Sequence, residues 1–472
     1  MSRSRRVPLR WLLGGLVVVL VAAGAVLVAN LVNRPAVVRS QDLFIPVVDG
    51  PAHDQHVRLD ATVYFPARTP APAVLISPGF GETKSAVDGQ ARELAQQGFV
   101  VLGYTPRGFG HSTGLIALNS PDYEVTDARQ LIDWLAGRPE VTQDGPGDPR
   151  VGVTGGSYGG ALSLMLAGTD RRVDAIAPVI TYNDLSQALV PNAASTTTSA
   201  ANTPAAGSFA ADGVFKRTWA GILFGAGLGS GGGPTTTPTN TAADPPAACG
   251  RFVLEVCQAY QQIATTGRAT RPTVDLLRRD SPVGVTSHIT VPTLLVQGEQ
   301  DTLFGLDQAD ANARQITAAG GQVKMIWYDG GHDGAAPDTA LRQQITDWFQ
   351  FYLNGRGGYP GTAFQYDVQG AFRSNGEPTI RTVTAPAYPG LTGTDGTQRQ
   401  SLALIGPPVQ QVLNPPGGSP AAISGLPGVS DVLGAAAGRL ASDIPGGNAS
   451  FVTAPLTSQV LVAGSATVRL RV

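Results

Sequence analysis

Several residue types are scarce in this chain of 472 residues, and each shortage removes a class of function. Cysteine occurs twice, at Cys249 and Cys257, which is too little to build a zinc site alone. Lysine is confined to Lys84, Lys216 and Lys324, and the formal net charge is −2. A net charge near zero argues against nucleic acid as a partner, since that needs a basic field. The abundance of Arg, Ala, Gly and Pro reflects a GC-rich coding bias and carries no chemistry. Histidine is limited to five positions, so the search for a general base is short. The apolar fraction of 42% is that of a globular protein, which excludes general disorder.

The N-terminus stands apart. Arg3, Arg5, Arg6 and Arg10 precede an uncharged apolar run from Trp11 to Ala29. At about 1.5 Å per residue that run nearly matches a bilayer core of about 30 Å. The flanking arginines favour the cytoplasmic side. Residues 1–35 are therefore expected to be an uncleaved membrane anchor, with a cleaved signal peptide ending near Ala23-Gly24-Ala25 as the alternative. Either leaves the remainder outside the cytoplasm, membrane-anchored or secreted. There, Cys249 and Cys257 are expected to form one disulfide that closes a short loop.

From Asp42 to about Leu185, short apolar runs alternate with helical patterns, as in βαβ units on a mostly parallel sheet. Val57–Tyr64 alternates like a half-buried strand, while Ala73–Ile76, Val100–Gly103 and Val151–Thr154 suit buried strands. Helices are expected over residues 86–97 and 125–136. The stretch 191–248, rich in Ala, Thr, Gly, Ser and Pro, reads as a loose loop. Helices follow over 251–263 and 273–279. Strands resume at Pro292–Val296 and Val323–Trp327, with a last helix over 339–353. This organisation divides the chain into a core (36–185), a cap insertion (186–290) and the rest of the core (291–357). Beyond it, residues 358–472 read as a β-rich, jelly-roll-like domain that ends early. Its strand candidates are Thr379–Thr384, Ser401–Ile405, Phe451–Ala454, Gln459–Val462 and Ala466–Val472. No internal repeat is present.

The chemistry is concentrated in Gly155-Gly156-Ser157-Tyr158-Gly159-Gly160, which follows a strand and opens an apolar helix. This is G-x-S-x-G in the strand–turn–helix setting that exposes a nucleophilic serine. The small flanking residues give clearance for a strained turn. Of the histidines, His53, His56 and His111 precede Ser157 and His288 precedes the strand that should carry the acid. Only His332, in the loop after Val323–Trp327, fits the order serine, acid, histidine. The acid is expected to be Asp301, just past the end of a buried strand, where open α/β sheets place their sites. Glu299 is a rival on the same loop, and Asp329 and Asp333 are nearer to His332 in sequence. The oxyanion hole is assigned to the backbone N–H groups of Tyr158 and Phe80, the latter in Ser77-Pro78-Gly79-Phe80-Gly81.

Together these motifs resemble the peptidase S15 group, which includes Xaa-Pro dipeptidyl peptidases and cocaine-esterase-like hydrolases. The resemblance rests on the Ser157-Tyr158 pair and on Arg107-Gly108-Phe109-Gly110-His111-Ser112. It extends to Ser281-Pro282, to Val291–Gly298 and to Phe451–Leu456, the last similar to the entry of that family's jelly roll. Two departures stand out. Close relatives carry a tyrosine hydroxyl in the early oxyanion loop, where this chain has Phe80, and their jelly roll is longer.

The resemblance implies an α/β-hydrolase fold and acyl transfer from an ester or a short Xaa-Pro peptide, without metal or organic cofactor. Two alternatives remain open on the sequence. One is an envelope acyltransferase using the same serine; the other is a membrane-tethered binding module without catalysis.

Overall fold

The computed structural model describes residues 38–191, 213–229, 246–374, 378–391, 401–412, 449–458 and 460–464. The N-terminal run lies outside them. Among the described residues no helix is long and apolar enough to cross a membrane.

Ten strands form one sheet. In chain order they are β1 (Arg39–Asp49), β2 (Gln55–Phe65), β3 (Ala73–Ser77), β4 (Val100–Tyr104), β7 (Val151–Gly156), β8 (Val173–Val179), β9 (Thr293–Gly298), β10 (Val323–Tyr328), β11 (Phe364–Phe372) and β12 (Pro378–Ala385). A small hairpin of β5 (Gln143–Gly145) and β6 (Asp148–Pro149) lies apart. The spatial order β1-β2-β4-β3-β7-β8-β9-β10-β11-β12 is parallel from β4 to β11 and antiparallel at both ends. The central strands are uninterrupted apolar runs because helices cover both faces. Residues of β3 and β4 are buried without exception.

One face packs against helices Glu124–Ala136, Tyr158–Thr169 and Leu306–Ala318, through a core that includes Leu75, Leu102, Val153, Leu131, Met165 and Ile316. Helices Asp88–Gln96 and Thr339–Asn354 cover the other, around Val74, Val101, Leu94, Trp348 and Phe349. The last of these has clear ends. Asp338 accepts from the N–H of Leu341 at 2.8 Å, and Gly355 closes the helix in a left-handed conformation, φ 60°.

The register aligns the ends that matter. Ser77 of β3 sits opposite Gly155 of β7, and Gly298 of β9 opposite Tyr328 of β10. Four parallel strands thus release their following loops at one edge of the sheet.

Between β8 and β9 lies the cap: helices Leu185–Leu189, Arg217–Gly229, Leu254–Thr266 and Arg271–Arg279. Arg217–Gly229 corrects the expectation of a loose loop over 191–248. Gly221, Gly225, Gly227 and Gly229 lower its helix propensity, and packing of Ala220, Phe224 and Gly227 supplies what propensity lacks. The C-terminal region also differs. β11 and β12 extend the main sheet, β11 pairing with β10 at Ile326 and Gln365. Ser401–Ile405 and Phe451–Ala454 form no strand and share only the bridge between Ile405 and Val452. Ala466–Val472 lies outside the described residues.

Candidate active site

Ser157 stands between β7 and helix Tyr158–Thr169 with φ 53° and ψ −114°, a region that side chains other than glycine rarely occupy. Its surroundings hold it there. A Cβ at Gly159 would come within 2.1 Å of the Ser77 carbonyl oxygen, and one at Gly155 within 2.4 Å of the same atom. The N–H of Ser157 donates to Val179 O at 2.8 Å, and its carbonyl accepts from Thr181 Oγ1 at 2.7 Å. The following helix is apolar around its whole circumference and buried from Tyr158 to Ala167.

Ser157, His332 and Asp301 meet at the sheet edge. His332 Nε2 is 2.8 Å from Ser157 Oγ, and His332 Nδ1 is 2.6 Å from Asp301 Oδ2. Asp301 is buried, and its other oxygen accepts from the N–H groups of Leu303 at 3.0 Å and Phe304 at 2.8 Å. The acid and histidine loops are joined through Glu299 N to Tyr328 O and Gln300 N to Gly330 O, both 2.9 Å. Gly331 permits this closeness. With φ 142°, any Cβ there would lie 2.7 Å from the Cα of Asp301.

The rival carboxylates point elsewhere. Glu299 accepts from Asp367 N, Asp333 from Thr302 N and Oγ1, and Asp329 from Gln300 Nε2. The other four histidines, His53, His56, His111 and His288, are exposed.

Phe80 and Tyr158 both border the serine. Tyr158 opens its helix, so its N–H has no carbonyl one turn back. A Cβ on Gly79 would stand 3.9 Å from that of Ser157, which brings the loop before Phe80 against the serine. The ring of Phe80 packs edge-on against Phe109 and Tyr158, with centroids at 5.0 and 5.3 Å.

Several contributors escape the motifs. Asn119 donates from Nδ2 to the Tyr158 carbonyl and from its backbone N–H to the Tyr158 hydroxyl, each at 2.9 Å. That hydroxyl donates to Glu124 Oε1 at 3.1 Å. Leu118 and Asn119 are both left-handed, φ 62°, two strained residues in succession that turn Asn119 onto Tyr158. Burial raises the pKa of Glu124, with Arg107 opposing, and burial with Glu124 beside it raises that of Tyr158. Arg107 is enclosed, 2.6 Å from Asp49 and 3.7 Å from Asp127, and donates from Nε to Leu115 O at 2.7 Å. It thereby holds the strand-to-loop segment that leads to Asn119.

On the opposite side, the cap grips the acid loop. Lys216 Nζ donates to the carbonyls of Thr302 and Leu303, both at 2.8 Å, and Trp219 Nε1 donates to Thr302 Oγ1 at 3.1 Å. Burial pulls the Lys216 pKa down. The Trp219 and Phe304 rings stand edge-on to His332, at 6.0 and 5.1 Å. Cys249 and Cys257 form the expected disulfide, closing the loop that carries Phe252.

Above Ser157 the cap and core enclose an apolar cavity. Phe80, Tyr158, Leu303 and Phe304 line it from the core, and Phe215, Ile263 and Thr273 line it from the cap. No ionisable carboxylate, ammonium or guanidinium lines it among the described residues. No cluster of His, Cys, Asp and Glu suited to a metal occurs among them either.

Comparison with known proteins gives two curated relatives. The polyketide transferase grgF of a Penicillium species is 33% identical over 122 residues, 25% of this chain and 40% of that protein. The uncharacterized protein YcjY of Escherichia coli K12 is 30% identical over 133 residues, 27% of this chain and 42% of that protein. The matches thus span less than half the length of these relatives. Among solved structures, a CocE/NonD family hydrolase from Staphylococcus aureus aligns with a TM-score of 0.48 and 15% identity, covering 76% of this chain and 60% of that one. The Pyrococcus furiosus esterase Pf2001 aligns with a TM-score of 0.40 and 12% identity, covering 66% and 93%. The family model described as X-Pro dipeptidyl-peptidase (S15 family) matches residues 54–334, more than half of the chain. With the ordered elbow and the long parallel sheet already described, the conclusion is that this chain is an α/β-hydrolase belonging to the S15 family.

Proposed function

We propose that the protein hydrolyses uncharged carboxylic esters through an acyl-enzyme on Ser157. The observation that carries this reading is the unbroken hydrogen-bond chain from Ser157 Oγ through His332 to Asp301. His332 Nε2 takes the serine proton as Oγ attacks the ester carbonyl, and returns it to the departing alcohol. Asp301 keeps the proton on Nδ1 and stabilises the imidazolium. Its own orientation is held by the N–H groups of Leu303 and Phe304. The Tyr158 and Phe80 N–H groups receive the developing oxyanion. Water, activated by the same imidazole, then releases the acid.

The choice of ester over N-terminal dipeptide follows from charge. An enzyme that cuts two residues from a free N-terminus must hold an ammonium close to the scissile carbonyl, which calls for a carboxylate nearby. Among the described residues, the lining of this cavity offers none. Glu82, the acidic residue of the early loop, instead accepts from Gly79 N at 2.8 Å.

The test uses the full chain and its Ser157→Ala variant on a p-nitrophenyl ester and on Ala-Pro p-nitroanilide. Ester cleavage is expected to fall by about 10⁴ or more in the variant. The anilide is expected to remain intact. Equal activity of the variant would remove Ser157 from the mechanism, and Ser157-dependent anilide cleavage would restore the dipeptidyl-peptidase reading.

A second reading has one observation in its favour, the name of the transferase among the relatives. In it the acyl group passes from Ser157 to an alcohol instead of water. Product analysis with and without an added alcohol acceptor separates the two.

A further inference from the structure

We propose that the group held by Ser157 is an unbranched aliphatic acyl chain longer than butyryl, lying under the cap. This rests on the ester-hydrolase reading above and adds the class of acid released.

The first support is chemical. Besides Ser157, the lining has hydroxyls on Tyr158, Tyr182, Tyr260 and Thr273, that of Tyr260 lying beside Gly221 of the cap. Those of Tyr158 and Tyr182 are committed to the network around Asn119, and that of Thr273 donates to Gln262 Oε1 at 3.2 Å. A charged or strongly polar acyl group would lose its water there with little beyond the Tyr260 hydroxyl to replace it. An aliphatic chain gains by leaving water.

The second support is the shape of one wall. Phe80, Phe252, Phe224 and Tyr260 form a row of nearly parallel rings, with successive centroids at 6.1, 4.8 and 3.8 Å and interplanar angles of 16°, 4° and 10°. The row runs from the early loop beside the serine to the cap helix Leu254–Thr266. The inner rings give their faces to each other, so an aromatic acyl group finds little face to stack on. A flexible chain can follow such a wall.

This wall is also fixed in place. Phe252 lies within the disulfide loop, and its neighbours bond to Ile116 of the core, Val253 N to Ile116 O at 3.0 Å and Ile116 N to Arg251 O at 2.7 Å. Beneath it sits Gly227, where a Cβ would come within 2.2 Å of the ring.

The chain belongs on the acyl side for a kinetic reason. The alcohol leaves before water attacks, whereas the acyl group stays bound to Ser157 through both steps. A cavity roofed by a cap suits the group that stays.

The experiment is a series of p-nitrophenyl esters from acetyl to dodecanoyl on the full chain, with a parallel series of alkyl acetates. Fluorophosphonate labelling monitors Ser157. We expect kcat/KM to rise by about fourfold per methylene until the cavity is filled, and at least tenfold from butyryl to octanoyl. In Ala259→Phe, which adds bulk to the lining, the octanoyl-to-acetyl ratio should fall about tenfold or more. A flat or falling acyl series, with labelling and Ser157-dependent acetyl hydrolysis intact, would overturn this proposal alone. So would a length preference confined to the alcohol. Absence of both labelling and hydrolysis would overturn the ester-hydrolase reading and this proposal with it.

Discussion

Two sides of one site are built on different terms. On the core side, Ser157 is held between Gly155 and Gly159, which tolerate no added atom, and the polar groups behind it are tied in a buried network. On the cap side, the same cavity is bounded by the ends of apolar side chains from several helices. The cap meets the core through polar contacts such as Lys216 to the acid loop and Arg251 to the Ser112 carbonyl at 2.8 Å. A close-packed interior has few discrete arrangements, so it can hold reacting atoms to a fraction of an ångström. A lining of side-chain ends can be altered one residue at a time while the rest persists. On the function proposed above, chemistry is placed where the chain has no freedom, and selectivity where it has some.

The sharpest way to break this contrast is within the elbow. Gly159→Ala should destabilise the protein by more than about 4 kcal/mol, and it is expected to accumulate poorly, because the new methyl would overlap the Ser77 carbonyl. Gly156→Ala is the control, at the residue just before Ser157, where a Cβ meets nothing within 4 Å. Its unfolding free energy should change by no more than about 0.5 kcal/mol. If both variants were equally stable, the elbow would be far more pliable than its contacts imply.

The next effect tests the network behind Tyr158. Asn119→Gly keeps the left-handed backbone allowed but removes the side chain that holds the Tyr158 carbonyl. A mis-aimed Tyr158 N–H stabilises the oxyanion less, so kcat should fall about 10- to 100-fold with little change in KM. Affinity for a trifluoromethyl ketone, which mimics the oxyanion, should weaken in parallel. An unchanged kcat would reduce Asn119 to a structural role.

These two cases also show what the sequence discloses. The elbow, β3, β4, β9 and β10 were legible because a buried parallel strand must be a run such as Ala73–Ile76, and because a nucleophile turn needs Gly155 and Gly159. Asp301 and His332 were singled out from their places after β9 and β10, and the structure brings both beside Ser157. Asn119 and Glu124 were not legible, since they lie 39 and 34 residues from Tyr158 and meet it only through tertiary packing. Helix Arg217–Gly229 was hidden by its glycines. β11 was missed and the jelly roll expected in its place, because alternation reports a strand but not the sheet that it joins.

The cap's hold on the acid loop should give a smaller effect. Lys216→Met removes both hydrogen bonds to the Thr302 and Leu303 carbonyls next to Asp301. A tenfold loss in kcat is expected, equivalent to about 1.4 kcal/mol in the barrier. Amide exchange at Leu303 and Phe304 should quicken with it. Trp219→Phe keeps a ring beside His332 but loses the bond to Thr302, and should cost about threefold. Slower exchange in Lys216→Met would show that the cap strains the acid loop instead of steadying it.

The smallest effect concerns a part of the core where packing leaves charge unsettled. Glu299 is pushed up to about 7 by burial, with Asp367 and Asp329 adding to the shift against a hydrogen bond from Asp367 N. Between the ordinary carboxylate range and that value, the folded chain holds a proton that the unfolded chain has released. Stability contributed by this proton is therefore present at low pH and lost as pH rises through about 7. Because Glu299 is partly exposed, the change should be a modest one, about 2–4 °C in Tm between pH 5 and pH 8. Other groups titrate over the same range, so the informative quantity is the difference from Glu299→Gln, which keeps an acceptor for Asp367 N. That variant should match the wild type near pH 4 and melt higher at pH 8, with ester hydrolysis at neutral pH retained within about twofold. A large loss of hydrolysis instead would mean that Glu299, not only Asp301, supports His332. The strict division between a rigid chemical side and an adjustable binding side would then fail at the acid loop, where both meet.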